Sequence, residues 1–350
     1  MDLISLILQN LLSPALLFFA LGILAGVVRS DLEIPQSISR YLSIFLMMAI
    51  GLKGGVAFAN TPEFTAEVLW TVLAGLVLGF LQPVLGFVLL RLTTRIDRPT
   101  AAAVAAHYGS ISIVTFATAV SFLGVNSVIY AGYIVAVVAL MEAPAILSGL
   151  YLARRNPGQK ALATGAVGAA VTPDVALNAD LMPASKPAFS GKLLHEVLTN
   201  GAIFLLVGTF LIGWIIGQPG LDKLEGFVVT PFQGVLCLFL LDMGLVVARN
   251  LGQLRQFTLS LVAFGLYMPL IGAAVGLAMA RLIGLDVGTG TLFAVLCASA
   301  SYIAVPAAMR MALPEAKAAI YLPMSLAITF PFNIVAGIPL YYAGAKALLG

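Results

Sequence analysis

Long apolar runs, one after another, limit what this chain can fold into. A helix crossing the roughly 30 Å hydrocarbon core of a bilayer needs about 20 apolar residues. Such segments fall near 9–28, 39–59, 67–90, 99–123 and 128–153, then near 195–216, 230–249, 257–280, 287–309 and 318–346. They predict an all-α integral membrane protein with ten transmembrane helices. The charge content agrees. Only 9% of the residues are charged, against roughly 25% in soluble domains, too few for a solvated surface. No long basic run is present, which argues against a nucleic-acid partner. Cys237 and Cys297 both lie in apolar segments and read as packed thiols. The start, Met1 and Asp2, has no basic n-region or small-residue cleavage site, so it is expected to lead into the first span.

Between the fifth and sixth spans lies 154–192, rich in Ala, Gly, Pro and Ser, which reads as a flexible loop. It separates a first five-helix unit, 1–153, from a second, 193–350. Basic residues fix the direction. Arg29, Arg40, Arg91, Arg95, Arg98, Arg154, Arg155, Lys160, Lys186, Lys192, Arg249, Arg255, Arg310 and Lys317 follow odd-numbered spans. Lys223, Arg281 and Lys346 lie on the opposite side, and Lys53 lies within span two. Fourteen against three places the 154–192 loop in the cytoplasm, with both termini outside.

The two units repeat each other. GFLQPVLG at 79–86 matches GLYMPLIG at 265–272, and RLTTRID at 91–97 matches RLIGLD at 281–286. YGSISIVTFATA, from Tyr108, matches CASASYIAVPAA, from Cys297, so Ser110 falls on Ser299 and Ser112 on Ser301. APAILSG at 143–149 matches FPFNIVAG at 330–337. An odd number of spans per unit turns the second copy upside-down, and inverted repeats with broken helices at the midplane are the build of secondary transporters. A break at Ser110–Ser112 exposes the amide donors of the second half-helix, whose dipole favours an anion. The serines add hydroxyl donors, Gly109 lets a ligand approach the backbone, and Pro306 suits the first turn of a restarted helix. The alternative is that Ser and Gly merely pack helices closely. At about 1.5 Å per residue, Ser112, Ser301 and Glu142 lie roughly 20, 12 and 16 Å from the cytoplasmic ends of their spans, one layer near the midplane.

Other polar groups lie within spans. Glu142 is a candidate to bind a coupling cation or pass a proton; the alternative is a protonated structural side chain. Asp242 and Lys53 invite pairing, yet they sit in opposite halves of their spans, so Lys53 is free to snorkel outward instead. His107 lies one turn from Ser110, either hydrogen-bonded within the break or simply packed. His195 carries no signal. A serine hydrolase built on HYGS is disfavoured, because the second copy keeps the serines and has no histidine. No metal-ligand cluster or phosphate-cradling motif appears, so an enzyme is not expected. A channel is the less favoured alternative, because inverted repeats with paired breaks fit alternating access better than a fixed pore.

IGLKGGVAFAN (50–60), SIS (110–112), QGVLCLFLLDMGL (233–245), GQLRQ (252–256) and CASASYIAVPAAMRMALP (297–314) carry a resemblance to the sodium-dependent bicarbonate transporter family, best known from cyanobacteria. The resemblance runs over all ten spans and implies no cofactor beyond sodium as coupling ion. It implies a homotrimer of elevator type: a core of spans 3–5 and 8–10 moving against a scaffold of spans 1, 2, 6 and 7. It implies bicarbonate uptake coupled to Na+, with bicarbonate at Gly109, Ser110, Ile111, Ser112, Ala298, Ser299, Ala300 and Ser301. For the coupling ion it implies Glu142, Thr115, Ser301 and the position of Tyr302. Cyanobacterial members have an acidic residue where this chain has Tyr302, and a nearby serine and glycine become Ala304 and Val305. Alternatives are therefore proton coupling, or a short carboxylate whose apolar end meets Tyr302 and Val305. The family also implies a PII-type regulatory partner at the cytoplasmic face. Here 154–192 holds five bases and only Asp174 and Asp180 as acids, so that partner does not follow from the loop itself.

Overall fold

In the computed structural model, residues 3–60, 65–154, 201–302 and 315–350 are described, together with positions 305, 306, 309 and 313. Apart from Arg154, the 154–192 loop lies outside them, as does Ala304. The described residues form helices and no strand. In chain order these are α1 (Leu3–Leu11), α2 (Pro14–Val27), α3 (Gln36–Ala59), α4 (Ala66–Thr93), α5 (Arg98–Gly109), α6 (Ile113–Val125) and α7 (Ile134–Arg154). After the gap come α8 (Gly201–Lys223), α9 (Phe232–Asn250), α10 (Leu259–Ile283), α11 (Val287–Ala298) and α12 (Ala318–Leu349). Among the described residues, seven helical stretches are long and apolar enough to cross a membrane, or eight if α1 and α2, bent by 65°, count as one span. The chain is a multi-pass, all-helical membrane protein.

Local chemistry sets the helix ends. Ser13 caps α2, its hydroxyl accepting from the Leu16 N–H at 3.4 Å, with Pro14 in the first turn. α5 and α11 are built alike. Each has 12 residues, and each starts at an aspartate, Asp97 or Asp286, that accepts from the amide three residues on at 2.9 Å. Each also follows a long helix with an internal proline, Pro83 in α4 and Pro269 in α10. Within α12, π-helical turns at Met324–Thr329 and Asn333–Gly337 widen the helix.

Glycines let two pairs of helices approach closely. A methyl on Gly22 of α2 would overlap the Leu241 carbonyl of α9, and one on Gly244 would overlap the Phe19 carbonyl. Likewise Gly55 of α3 faces the Phe210 carbonyl of α8, and Gly213 faces Leu52. Small residues serve this purpose in lipid, where dispersion rather than water expulsion holds helices together. α4, α5 and α7 pack as one group, and α10, α11 and α12 as another. Both groups come together around the ends of α5 and α11.

Candidate functional site

α5 ends because the backbone turns extended, with Ser110 at φ −98° and ψ 169°. α11 ends the same way, Ser299 having φ −80° and ψ 163°. The two breaks cross and bond each other. The Ser112 N–H donates to Ser299 Oγ at 3.2 Å, and the Ser301 N–H donates to the His107 carbonyl at 2.8 Å. Gly109, Ser110, Ile111 and Ser112 thus meet Ala298, Ser299, Ala300 and Ser301, all buried.

A broken helix strands carbonyls that lipid cannot satisfy. The Cys297 carbonyl would ordinarily take the Ser301 N–H, which has gone to His107. Gln82 of α4 replaces it, its Nε2 donating at 2.9 Å. Asn333 of α12 donates its Nδ2 to the Ala298 carbonyl at 2.9 Å and accepts from the Tyr341 hydroxyl at 2.7 Å. The Leu296 carbonyl takes both the Ser299 N–H and its hydroxyl. Pro269 has no N–H for the Gly265 carbonyl, and the Thr329 hydroxyl fills that place at 2.7 Å while contacting the Tyr108 hydroxyl at 2.6 Å. Sequence reasoning missed Gln82, Asn333, Tyr108 and Thr329; amides and hydroxyls inside apolar spans were the available signal.

What remains unpaired defines the site. Ser112 Oγ accepts from the Thr115 N–H at 3.1 Å and the Thr115 hydroxyl at 2.9 Å, which leaves its own hydrogen to donate. Ser301 Oγ accepts only a long contact of 3.5 Å from the Val305 N–H. Among the described residues, the buried side-chain atoms without a partner include Ser110 Oγ, Gln82 Oε1 and His107 Nε2, while the Tyr302 hydroxyl faces Ser112. Each belongs to the crossing or to a residue bonded to it. An unpaired buried group costs about 1–3 kcal/mol, so their convergence makes the crossing the candidate site. No described hydrogen bond or ion pair brings Lys or Arg there. The positive potential comes from the α6 N-terminus and from the backbone restarting by Val305 and buried Pro306.

The remaining candidates separate. Thr115 lies at the crossing, as above. The half-buried Tyr302 ring packs edge-on against Phe330 at 5.3 Å, beside Ser112. The Glu142 backbone lies in α7, but its side chain is outside the described residues. Among those residues no three of His, Cys, Asp and Glu cluster as metal ligands. His107 Nδ1 bonds the Ala103 carbonyl at 2.6 Å and therefore carries the hydrogen, leaving Nε2 as an acceptor; its ring stacks 4.9 Å from Tyr321. Ser110 Oγ and His107 Nε2 are both without partners, so a hydrolase pair is not assembled. Lys53 Nζ sits 4.4 Å over the Phe232 ring, while Asp242 bonds Ser39 near Arg249; the two do not pair. Cys237 and Cys297 are free and buried.

A family model described as the Na+-dependent bicarbonate transporter superfamily matches residues 14–346, from α2 almost to the end of α12. No curated protein matches the chain. The matched stretch contains both breaks and every helix that supplies their carbonyl partners, and the chain belongs to the Na+-dependent bicarbonate transporter superfamily.

Proposed function

We propose that this protein imports bicarbonate together with sodium by alternating access, the anion binding where the ends of α5 and α11 cross. Family membership makes the chain a transporter and not an enzyme. The observation that carries the binding site is the group of buried, unpaired polar atoms at the crossing. Bicarbonate is a planar monoanion with one O–H. Ser110, Ser112 and Ser301 supply hydroxyl donors to its oxygens, and Gln82 Oε1 is an uncharged acceptor for its O–H. A site held by dipoles rather than a fixed cation lets the anion leave again. Sodium is the expected partner from the family, with Glu142, Thr115, Ser301 and Tyr302 as its candidate ligands.

An inverted repeat and an elevator-type division are supported by how the helices are tied. Capped α5 and α11, and the proline-bearing helices before them, match unit for unit. The α2–α9 and α3–α8 glycine contacts exchange under the same two-fold relation. Side-chain bonds between distant residues run mainly within α4–α7 and α10–α12: Gln82 to Cys297, Tyr108 to Thr329, Asn333 to Ala298, Ser148 to the Phe80 carbonyl, and Arg98 to the Leu152 carbonyl. That pattern suits a core moving as one body against α1–α3, α8 and α9. The inner-membrane location, cytoplasmic 154–192 loop and trimer belong to the same reading.

The test is labelled bicarbonate uptake into proteoliposomes of the purified protein, with and without an inward sodium gradient at fixed pH. Sodium-stimulated uptake, competed weakly by nitrate, which is planar but has no O–H for Gln82, is the expected result. Uptake indifferent to sodium would replace the coupling ion with a proton. No bicarbonate uptake would overturn the substrate and favour a short carboxylate packing on Tyr302.

A further inference from the structure

A cavity of about 530 Å³ lies apart from the crossing, where the α1–α2 break meets α6 and α9. Its α6 wall is Thr118, Ser121, Phe122, Val125 and Asn126. That spacing of three, four, seven and eight residues is a single helix face. Continued toward the start of α6, the same face runs through Thr115 to the break. Hydroxyls recur every three residues, at Ser112, Thr115, Thr118 and Ser121, winding about 60° around the helix at each step, so buried Thr118 lies about 9 Å along the axis from Ser112. The facing wall adds Asn10, Ser13 and Gln233. All twelve lining residues are uncharged, so an anion meets neither a cation to trap it nor an acid to repel it.

The cavity also lies between the two bodies of the proposed division, α4–α7 with α10–α12 as one group and α1–α3, α8 and α9 as the other. Ser121 of α6 donates its hydroxyl to Gln233 Oε1 of α9 at 2.8 Å. Asn10 of α1 donates to the Ile334 and Val335 carbonyls of α12 at 2.7 and 3.1 Å, in the π-helical turn. These bonds cross from one group to the other, so relative motion of the groups must break or stretch them.

We propose that this cavity is the aqueous passage by which the transported anion reaches the crossing from the side on which α6 ends, and that the Ser121–Gln233 hydrogen bond latches it. The proposal rests on the transport reading above. The test is Ser121→Cys, with Asn126→Cys on the same face as a second variant. Each is reconstituted and treated from one side with a membrane-impermeant methanethiosulfonate carrying a sulfonate. The unsubstituted protein is the control, its two cysteines being 6% and 2% exposed. The expected result is labelling from one side only, slowed by bicarbonate, and loss of each variant's own uptake once labelled. Labelling that leaves uptake unchanged, or no labelling at either position, would overturn the passage. A control protein that imports no bicarbonate overturns the substrate alone. One-sided labelling at 121 then still reports water reaching the cavity floor, and its absence still overturns the passage.

Discussion

Asn333→Leu should unsettle the crossing more than its size suggests. Leucine nearly conserves the volume but removes both partners the amide provides. The Ala298 carbonyl loses its donor at 2.9 Å, and the Tyr341 hydroxyl, buried on a residue 2% exposed, loses its acceptor at 2.7 Å. Hydrogen bonds between membrane helices average only about 0.6 kcal/mol, because the unfolded state in lipid finds other partners. Here the structure around each stranded group stays fixed, and leaving a buried group unpaired costs about 1–3 kcal/mol. The second effect wins, giving about 2–6 kcal/mol for two stranded groups. Gln82→Leu strands only the Cys297 carbonyl, and it also removes the unpaired Oε1, so its cost should be no more than half as large. Thermal unfolding in detergent, followed by tryptophan fluorescence with matched mass-spectrometric mass, measures both. A much larger loss for Asn333→Leu is expected. Equal melting of Asn333→Leu and the unsubstituted protein would refute the claim that side-chain amides hold the broken helix open.

Ser110→Ala removes a hydroxyl that bonds nothing among the described residues, so folding should be unchanged while the KM for uptake rises about tenfold or more, from one lost bond to a charged ligand. Wild-type kinetics would remove Ser110 from the site. Gly109→Ala would drive its methyl into the Pro83 ring, a rigid neighbour, at a cost of about 1–3 kcal/mol; normal melting would mean α4 and α5 do not pack as described. Asp97 caps α5 and lies 3.5 Å from Lys317. Partial burial pushes its carboxyl up, but the Thr100 bonds and the Lys317 ammonium outweigh this and hold it below the usual range. Its stabilisation is thus complete above the ordinary carboxylate pKa of about 4 and is lost as pH falls through the lower folded value. Melting followed against pH should show that acid loss, and Asp97→Asn, which still caps, should lack it.

Several residues of the proposed site were legible because the repeat states them twice. Ser110 and Ser112 fall on Ser299 and Ser301, and the structure brings both pairs to one crossing. Gln82 and Asn333 were not legible in that way. They lie in the repeat motifs GFLQPVLG and FPFNIVAG, yet neither has a polar counterpart in the other unit. Their partners, Cys297 and Ala298, are 215 and 35 residues away, and which carbonyls need a donor depends on where the backbone leaves the helix. Lys53 and Asp242 show the reverse case. Opposite charges in apolar spans suggest a pair, but Lys53 lies over an aromatic ring and Asp242 bonds Ser39.

The sequence alone determined the solvent this chain folds in, its helical class and the places where helices weaken, because lipid forbids unpaired backbone and local composition reports it directly. It also pointed to the family, through motifs spread over the whole chain. Only the tertiary structure decided how the breaks are satisfied. The Ser301 amide serves the opposite unit's His107, Gln82 and Asn333 cap carbonyls from other helices, and Ser110 is left without a partner. Hydrogen bonds between distant helices depend on approach distances of a few tenths of an ångström, which side-chain periodicity does not encode and the packing of the two units does.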